Sequence, residues 1–487
     1  MIAPVPPRWR LWKRYDTTVT TIFFMAVFAS ACLIPVQSDT WWHLRAGEEM
    51  WTRHAVLLAD QFSFVARGAY WPNHEWLSEI LFFGMYRAGG LPALTLLAAV
   101  LITIAIALSW RLMTGPATAK LLLMAIAMPS IVLVWTVRPH VFTLVLVMTV
   151  LHLAIRKIYW PLPILFALWA NLHGGVALGL VVLGGVTIAE VWTEGRARLL
   201  TLVPLTAACS AATLLTPLGI DLWRTIPESI QKSMANGIAE WRAPILFGWR
   251  DLAFWVVALL LLVAAAGRRL AMRTREDAAL LVVALALFPL ALRYSRNITP
   301  FLLVAVPALS RALAGTRLTS GDARRAGRPA VNAVLIAMCA VACAGVIAIA
   351  WGRPIAHLQW QPVSPQIIEA VRACPRPLYN RFDDGGYLIW FAKDVPVFVD
   401  NRQDPYPLWF LQEHLHREQS GAFEDVFARY HIGCAFLPPS SPTAQRLLQS
   451  GWRRTAGDTD WIVLQMPAAP AARTAPAATS RSDEAQR

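Results

Sequence analysis

Charge is scarce in this chain. Only 15% of its 487 residues are Asp, Glu, Lys or Arg, where a soluble domain carries about a quarter. With 56% hydrophobic residues, that scarcity excludes an ordinary soluble globule and indicates a polytopic membrane protein. The six cysteines contain no CxxC pair, so no zinc knuckle is indicated. There is no Walker-type phosphate loop and no GxGxxG following a strand, which removes nucleotide hydrolysis from the readings. Acids are also few, 30 against 44 basic residues for a net charge of +14. Such a balance would otherwise suggest nucleic acid. Here the basic residues cluster between apolar runs, so topology accounts for them and no nucleic-acid partner is expected.

What the chain does have is long apolar runs. A bilayer core takes about 20 apolar residues per helix. About eleven such segments can be placed, at 17–36, 91–110, 117–136, 139–155, 158–172, 174–192, 198–216, 252–267, 278–293, 297–314 and 331–351. The N-terminal tail, 1–16, carries Arg8, Arg10, Lys13 and Arg14. Alternate loops repeat the pattern with Arg111 and Lys120, Arg156 and Lys157, Arg196 and Arg198, then Arg268, Arg269, Arg273 and Arg275, then Arg311, Arg317, Arg324, Arg325 and Arg328. By the positive-inside rule these loops and the N-terminus are cytoplasmic, and an odd helix count puts everything after 351 outside. Ala29, Ser30 and Ala31 before Cys32 resemble a cleavage site, yet the apolar run continues past it, so an uncleaved anchor is the better reading.

The unusual polar residues then fall on the outer face. The stretch 37–51, QSDTWWHLRAGEEMW, places an acid, two tryptophans and a histidine where the first helix emerges. A carboxylate at that depth, Asp39, needs water, a partner or a substrate. The first outer loop, 37–90, also holds His43, Asp60, His74, Glu75 and Glu79. Residues 41–53 read as an amphipathic helix in the interface, and 75–86 as a second that re-enters the surface. Later outer turns carry Arg138 and His140, then His173, then Glu240 and Trp241 within loop 217–251, then Arg293 and Arg296. Each has a structural alternative: Arg138 can snorkel to headgroups, His173 can bond a neighbouring helix, and Trp241 can belong to the aromatic belt. Arg138, Arg293 and Arg296 break the positive-inside trend, however, and the acids and histidines converge on the same surface. An outer-face active site accounts for that asymmetry. Asp39 and His43 stand four apart, one helical face, and could share a metal with help from His74 and Glu75. No HExxH-like spacing supports this. A divalent ion such as Mg or Mn would suit phosphate chemistry without being required.

After 351 the composition changes. Strands are expected at 377–380, 395–400, 434–437 and 461–465, and helices at 386–391, 409–417, 423–429 and 443–449, the last started by Ser441 and Pro442. This gives a small extracytoplasmic α/β domain over 352–466, followed by a disordered tail at 467–487 rich in Ala, Pro, Ser, Thr and Arg. Cys374 and Cys434 lie outside the apolar runs and are able to pair there. Asp400, Arg402 and Tyr406 can bind sugar hydroxyls or form a domain-internal ion pair and turn; the second reading is favoured.

Several strings carry a resemblance: DTWWHLRAGE, FSFVARGAYWPNHEWLSE, VRPHVF, LWANLHGG, IAEW, and GGYLIW followed by FVDNRQDPY. From Asp39 to about Leu464 the chain resembles the GT-C superfamily of membrane glycosyltransferases, and within it a group of bacterial GT-C-like proteins. The resemblance implies a GT-C-like helical membrane domain over 17–351 in a bacterial inner membrane. It implies a sugar donor carried on polyprenyl phosphate, and a lipid, glycan or protein acceptor that the sequence does not identify. The first-loop acid of such enzymes is the catalytic base or a metal ligand, and Asp39 occupies that position; a paired second acid does not follow it.

The chemistry expected is base catalysis. An acceptor hydroxyl ionises far above neutral pH, so a placed carboxylate must take its proton as it attacks. Asp39 is the candidate, with His43, His74 or Glu75 as orienter or second acid. Arg138, Arg293 or Arg296 would stabilise the departing phosphate. Two other classes remain open on sequence alone. One is a transporter or flippase for a lipid-linked glycan, which needs polar residues at the midplane that 91–110 and 331–351 lack. The other is a non-catalytic scaffold in envelope polysaccharide assembly.

Overall fold

The computed structural model describes residues 15–246, 248–267, 274–314, 328–375 and 377–467. Arg8, Arg10, Lys13, Arg14, Arg268, Arg269, Arg273, Arg317, Arg324, Arg325 and the tail from 468 lie outside the described residues.

In hydrocarbon every backbone N–H and C=O must bond within the protein, so apolar runs of this length become helices. Each expected apolar segment overlaps one: α1 (Tyr15–Ala31), α3 (Trp76–Leu112), α4 (Ala117–Ile131), α5 (His140–Ile155), α6 (Leu162–Leu172), α7 (Val176–Glu194), α8 (Leu199–Ala212), α10 (Leu252–Ala266), α11 (Arg275–Arg293), α12 (Ile298–Ala312) and α13 (Pro329–Gly352). Among the described residues four helical stretches are long and apolar enough to cross a membrane, Trp76–Leu112, Ala117–Val134, Val176–Glu194 and Pro329–Gly352. The protein is thus a multi-pass membrane protein. α12 is the centre of the bundle: every residue in it except Arg311 is buried. α13 is the opposite case, with only Asn332 and Ala350 buried. A helix apolar all round and left uncovered is one that faces lipid.

One of the two expected interfacial helices is placed differently from its sequence expectation. Residues 76–86 are helical, as expected, and open α3. A break separates them from the apolar segment that follows, where Gly89 and Gly90 leave helical geometry and Gly90 takes φ 65°. Residues 41–53 lie within α2 (Ser38–Arg53), but its apolar face is not spread on a bilayer. Trp41 and Trp42 are 1% and 7% exposed, and Trp41 packs on Trp390 and Phe391. These belong to α16 (Gly385–Phe391), which lies across α2 so closely that a Cβ on Gly386 would sit 2.4 Å from the Ser38 carbonyl oxygen.

The C-terminal region follows a short α14 (Pro354–Leu358) and α15 (Pro365–Ala373). It contains a four-stranded sheet in the order β1 (Leu378–Asn380), β2 (Cys434–Leu437), β4 (Ile462–Gln465), β3 (Arg453–Gly457). β1 and β2 are parallel, with Leu378 opposite Cys434; the other pairs are antiparallel, with Leu437 opposite Ile462. α17 (Leu408–Ser420), α18 (Glu424–Tyr430) and α19 (Pro442–Gln449) complete it, and the Ser441 hydroxyl caps α19 by accepting from the Ala444 N–H. Cys374 and Cys434 are disulfide-bonded, with Cα atoms 5.9 Å apart.

The strand expected at 395–400 does not join this sheet, while β3 and α15 were not foreseen. Val397 instead pairs with the first loop, 37–90, donating to the Phe62 carbonyl at 3.0 Å and accepting from the Phe64 N–H at 3.0 Å. The Asn380 side chain takes the role of a neighbouring strand. It accepts from the Phe398 N–H at 2.8 Å and donates to the Val399 carbonyl at 2.7 Å. Trp42, Met50, Phe62 and Trp71 of the first loop therefore share one apolar core with Leu388, Val397 and Phe436. Loop and C-terminal region fold as one body over the end of the bundle.

Candidate active site

The first turn of α2 places Asp39 where the helix dipole favours a negative charge. Thr40 fixes that turn by donating its hydroxyl to the Val137 carbonyl at 2.8 Å, which brings the next residue, Arg138, alongside. Arg138 Nε lies 2.8 Å from Asp39 Oδ2. The other oxygen, Oδ1, accepts from the Asn401 amide of the C-terminal region. The charges continue as a chain: Arg138 to Glu240 at 3.5 Å, Glu240 to Arg296 at 3.0 Å, and Arg296 Nη2 to His173 Nε2 at 2.9 Å. Arg296 also lies over the Trp241 ring, 5.2 Å from its centroid. Glu75 stands behind, 3.4 Å from His173, 3.7 Å from His43 and 4.0 Å from His74.

The protonation states follow from these partners. Burial raises the Asp39 carboxyl above its ordinary range, with Arg138 opposing the rise. Burial likewise raises Glu75. Glu240 is the reverse: its two arginines overcome the cost of burial and hold it down at about 2. His43 and His173 are pushed well below their ordinary value, chiefly by burial, with Arg138 adding at His43 and Arg296 at His173. His173 is therefore neutral. Its Nε2 lies 2.9 Å from Arg296 Nη2, while Nδ1 accepts from the Gly175 N–H at 2.9 Å and lies 2.8 Å from the Thr143 hydroxyl. The turn holding His173 requires glycine at 175, where a Cβ would come within 2.5 Å of Thr143 Oγ1.

These groups line a cavity of about 440 Å³, with Asp39, Arg138, Glu240 and Arg296 on one side and Leu144, Leu178, Val181, Leu290 and Pro300 among its apolar walls. A second cavity of about 500 Å³ shares those four charged residues and is further lined by Arg242, Arg250 and Asp383. Two acids and two cations thus stand between a space with an apolar wall and a more polar one. That arrangement can hold a phosphate beside a carboxylate able to take a proton.

Most of the expected site residues meet here: Asp39, His43, His74, Glu75, Arg138, His140, His173, Glu240 and Arg296 all line the first cavity. His140 Nε2 is also 2.6 Å from the Val134 carbonyl oxygen. Arg293 does not line either cavity; its guanidinium rests over Tyr294, 5.2 Å from the ring centroid. Asp400, Arg402 and Tyr406 form the buried ion pair. Arg402 bonds Asp400 at 2.7 Å and Tyr406 donates to Asp400 at 2.7 Å. The pair reaches outside its own region, because Arg402 also bonds Asp60 of the first loop at 2.5 Å. As folded, Asp39 and His43 do not converge on a metal position: His43 Nδ1 turns to Glu79 at 3.0 Å, whereas Asp39 faces Arg138. Among the described residues no group of three or more His, Cys, Asp or Glu side chains is placed to hold a metal ion. Asn401, Asp404 and Asp383 were missed as site residues. Nothing in their spacing links them to residue 39; only the strings GGYLIW, beside Asp383, and FVDNRQDPY, around Asn401 and Asp404, marked their neighbourhoods.

No protein-family model and no curated protein sequence matches the chain. Solved structures do. The archaeal oligosaccharyltransferase AglB from Archaeoglobus fulgidus, in complex with an inhibitory peptide and a dolichol-phosphate, superposes with a TM-score of 0.55 at 14% identity, over 86% of this chain and 69% of that one. ArnT from Cupriavidus metallidurans bound to undecaprenyl phosphate superposes with a TM-score of 0.53 at 14% identity, over 91% of this chain and 96% of that one. This chain has the fold of these two solved structures.

Proposed function

We propose that this chain is a membrane glycosyltransferase that moves a sugar from a polyprenyl-phosphate donor to a lipid, glycan or protein acceptor. On this reading about eleven helices span a bacterial inner membrane. The N-terminus is cytoplasmic, and the α/β domain over 352–466 sits on the outer face with the cavities. The observation that carries the reading is the juxtaposition of Asp39 with Arg138 and Arg296 on one cavity whose other walls are apolar. The solved relatives AglB and ArnT, bound to dolichol-phosphate and undecaprenyl phosphate, support a lipid-phosphate ligand.

The acceptor oxygen attacks the anomeric carbon as Asp39 takes its proton. The bond from that carbon to the phosphate oxygen breaks, and the electron pair leaves with the lipid phosphate. Arg138 and Arg296 stabilise the charge that develops there. Glu240 stays ionised and holds the two guanidiniums apart and oriented. Glu75, raised by burial and set among His43, His74 and His173, is a second acid that can carry a proton onward. No step passes through a metal ion.

The test is transfer by purified protein in proteoliposomes, using a panel of labelled polyprenyl-phosphate sugars and envelope-lipid extract as acceptor. Asp39→Asn should abolish transfer while leaving thermal unfolding unchanged. A folded Asp39→Asn protein that transfers at the wild-type rate would refute the assignment. Movement of the donor across the bilayer without transfer would replace it with a flippase.

A further inference from the structure

Residues 400–404 leave the C-terminal region and end against the catalytic carboxylate. We infer that Asn401 is a positioning residue for Asp39, fixed in place by a buried anchor at Arg402. The inference rests on the reading of Asp39 as the base. Asn401 Nδ2 donates to Asp39 Oδ1 while Arg138 takes Oδ2 at 2.8 Å. Two donors from two distant parts of the chain therefore set the plane of one carboxylate. Held by both, it presents the same lone pair to an incoming hydroxyl at every turnover. Asn401 Oδ1 has no protein partner, so the bond to Asp39 is what accounts for the side chain's orientation.

Both neighbours of Asn401 are immobilised. Arg402, with a side chain 0% exposed, bonds Asp60 at 2.5 Å and Asp400 at 2.7 Å. Its guanidinium lies 4.9 Å from the Phe62 ring centroid and 4.7 Å from that of Trp71, the desolvated setting in which cation–π attraction is strongest. Beyond it, Gln403 adopts φ 64°, a left-handed conformation that a non-glycine residue holds only when its surroundings impose it. They do so through α9 (Asp221–Ala235). Ser233 donates to the Gln403 side chain at 3.2 Å, Ser229 to the Asp404 carboxylate at 2.5 Å, and Lys232 to the Asp404 carbonyl at 2.9 Å. A bare loop closure would need none of this. The construction holds one amide at one place.

The experiment reads Asp39 directly. Full-length protein in lipid is titrated by infrared spectroscopy, following the carboxyl band that Asp39→Asn removes. The groups facing Asp39 are Arg138, Glu240 and Arg296 from the membrane region, with Asp383 and Tyr387 from the C-terminal region. All remain in the variants. Loss of an amide donor removes a bond to the ionised form, so Asn401→Ala moves the midpoint up by about one unit. Asn401→Asp, the same size but with a like charge, moves it further. Thermal unfolding of each variant confirms the fold, and the isosteric Asn401→Asp stands in if Asn401→Ala does not fold. Midpoints equal to wild type in the folded variants overturn the inference, whatever the transfer rates. Absence of transfer by the wild-type protein, with the midpoints shifted, removes the glycosyltransferase reading and leaves the positioning intact.

Discussion

One end of α7 carries Glu190, and the other opens on His173 and the cavity, about 20 Å away along the axis. Both ends gather acids and arginines that are buried or partly buried. At the far end Glu190 is 0% exposed and accepts from Arg198 at 2.8 Å, from Arg275, and from the Tyr159 hydroxyl at 3.0 Å. Arg198 also donates to Tyr159 at 2.7 Å, and none of these side chains lines either cavity. At the near end the same residue types form an open row, Asp39, Arg138, Glu240, Arg296, along a cavity wall. The first cluster closes on its own members, away from any cavity. The second lines both cavities with all four of its members, and that difference separates an ionic clasp from a place where a charged ligand can enter.

Substitution should break the two clusters in different ways. Asp39→Asn should cost about 10² to 10⁴-fold in transfer rate with unchanged unfolding, read in the proteoliposome assay. The acid limb of the wild-type pH–rate profile belongs to the same group. As the proposed base Asp39 would work ionised, and burial raises its carboxyl, so the rate should fall as pH drops through a midpoint above the range of a free aspartate, about 4. Arg138→Gln and Arg296→Gln should each lower the rate about 10²-fold. Arg296→Gln should also weaken binding of undecaprenyl phosphate, measured by native mass spectrometry. Glu190→Gln should act on stability instead. Two arginines lose their buried counter-charge, which costs about 3–5 kcal/mol, seen as a lower unfolding temperature in detergent, while the rate per folded molecule stays near wild type. Arg293→Gln, outside both cavities, should change stability by no more than about 0.5 kcal/mol and leave the rate alone. Smallest of all, EDTA should not change transfer; a loss restored by Mg or Mn would instead make Asp39 a ligand.

The helices were legible because hydropathy is a local signal: each of the eleven apolar segments can be placed without knowing its neighbours. Asp39, Arg138 and Arg296 were legible for a related reason. A charge at the edge of an apolar run stands out against what surrounds it. Arg293 shows the limit of that argument, since it breaks the same charge trend and yet lies over Tyr294, away from the cavities. The strand expected at 395–400 failed because β-branched residues fit any extended, half-buried backbone; the partner turned out to be Phe62 and Phe64. Asn401 and Asp404 were hidden because nothing local distinguishes a loop amide that reaches an acid near the other end of the chain. Asp400, Arg402 and Tyr406 were read correctly as an ion pair, but Asp60 as their third member depends on the same long-range closure.

The clasp between Arg402 and Asp60 joins residues 342 positions apart. Chains grow at about 5–20 residues per second, so the first loop is made and delivered roughly 20 to 70 seconds before its partner exists. Throughout that interval Trp42, Phe62 and Trp71 lack the C-terminal residues that later cover them, and Asp39 lacks Asn401. The order of synthesis thus makes a late event of completing the cavity wall at Asp39. A nascent chain can hold its apolar helices and still lack the amide that orients the carboxylate at residue 39.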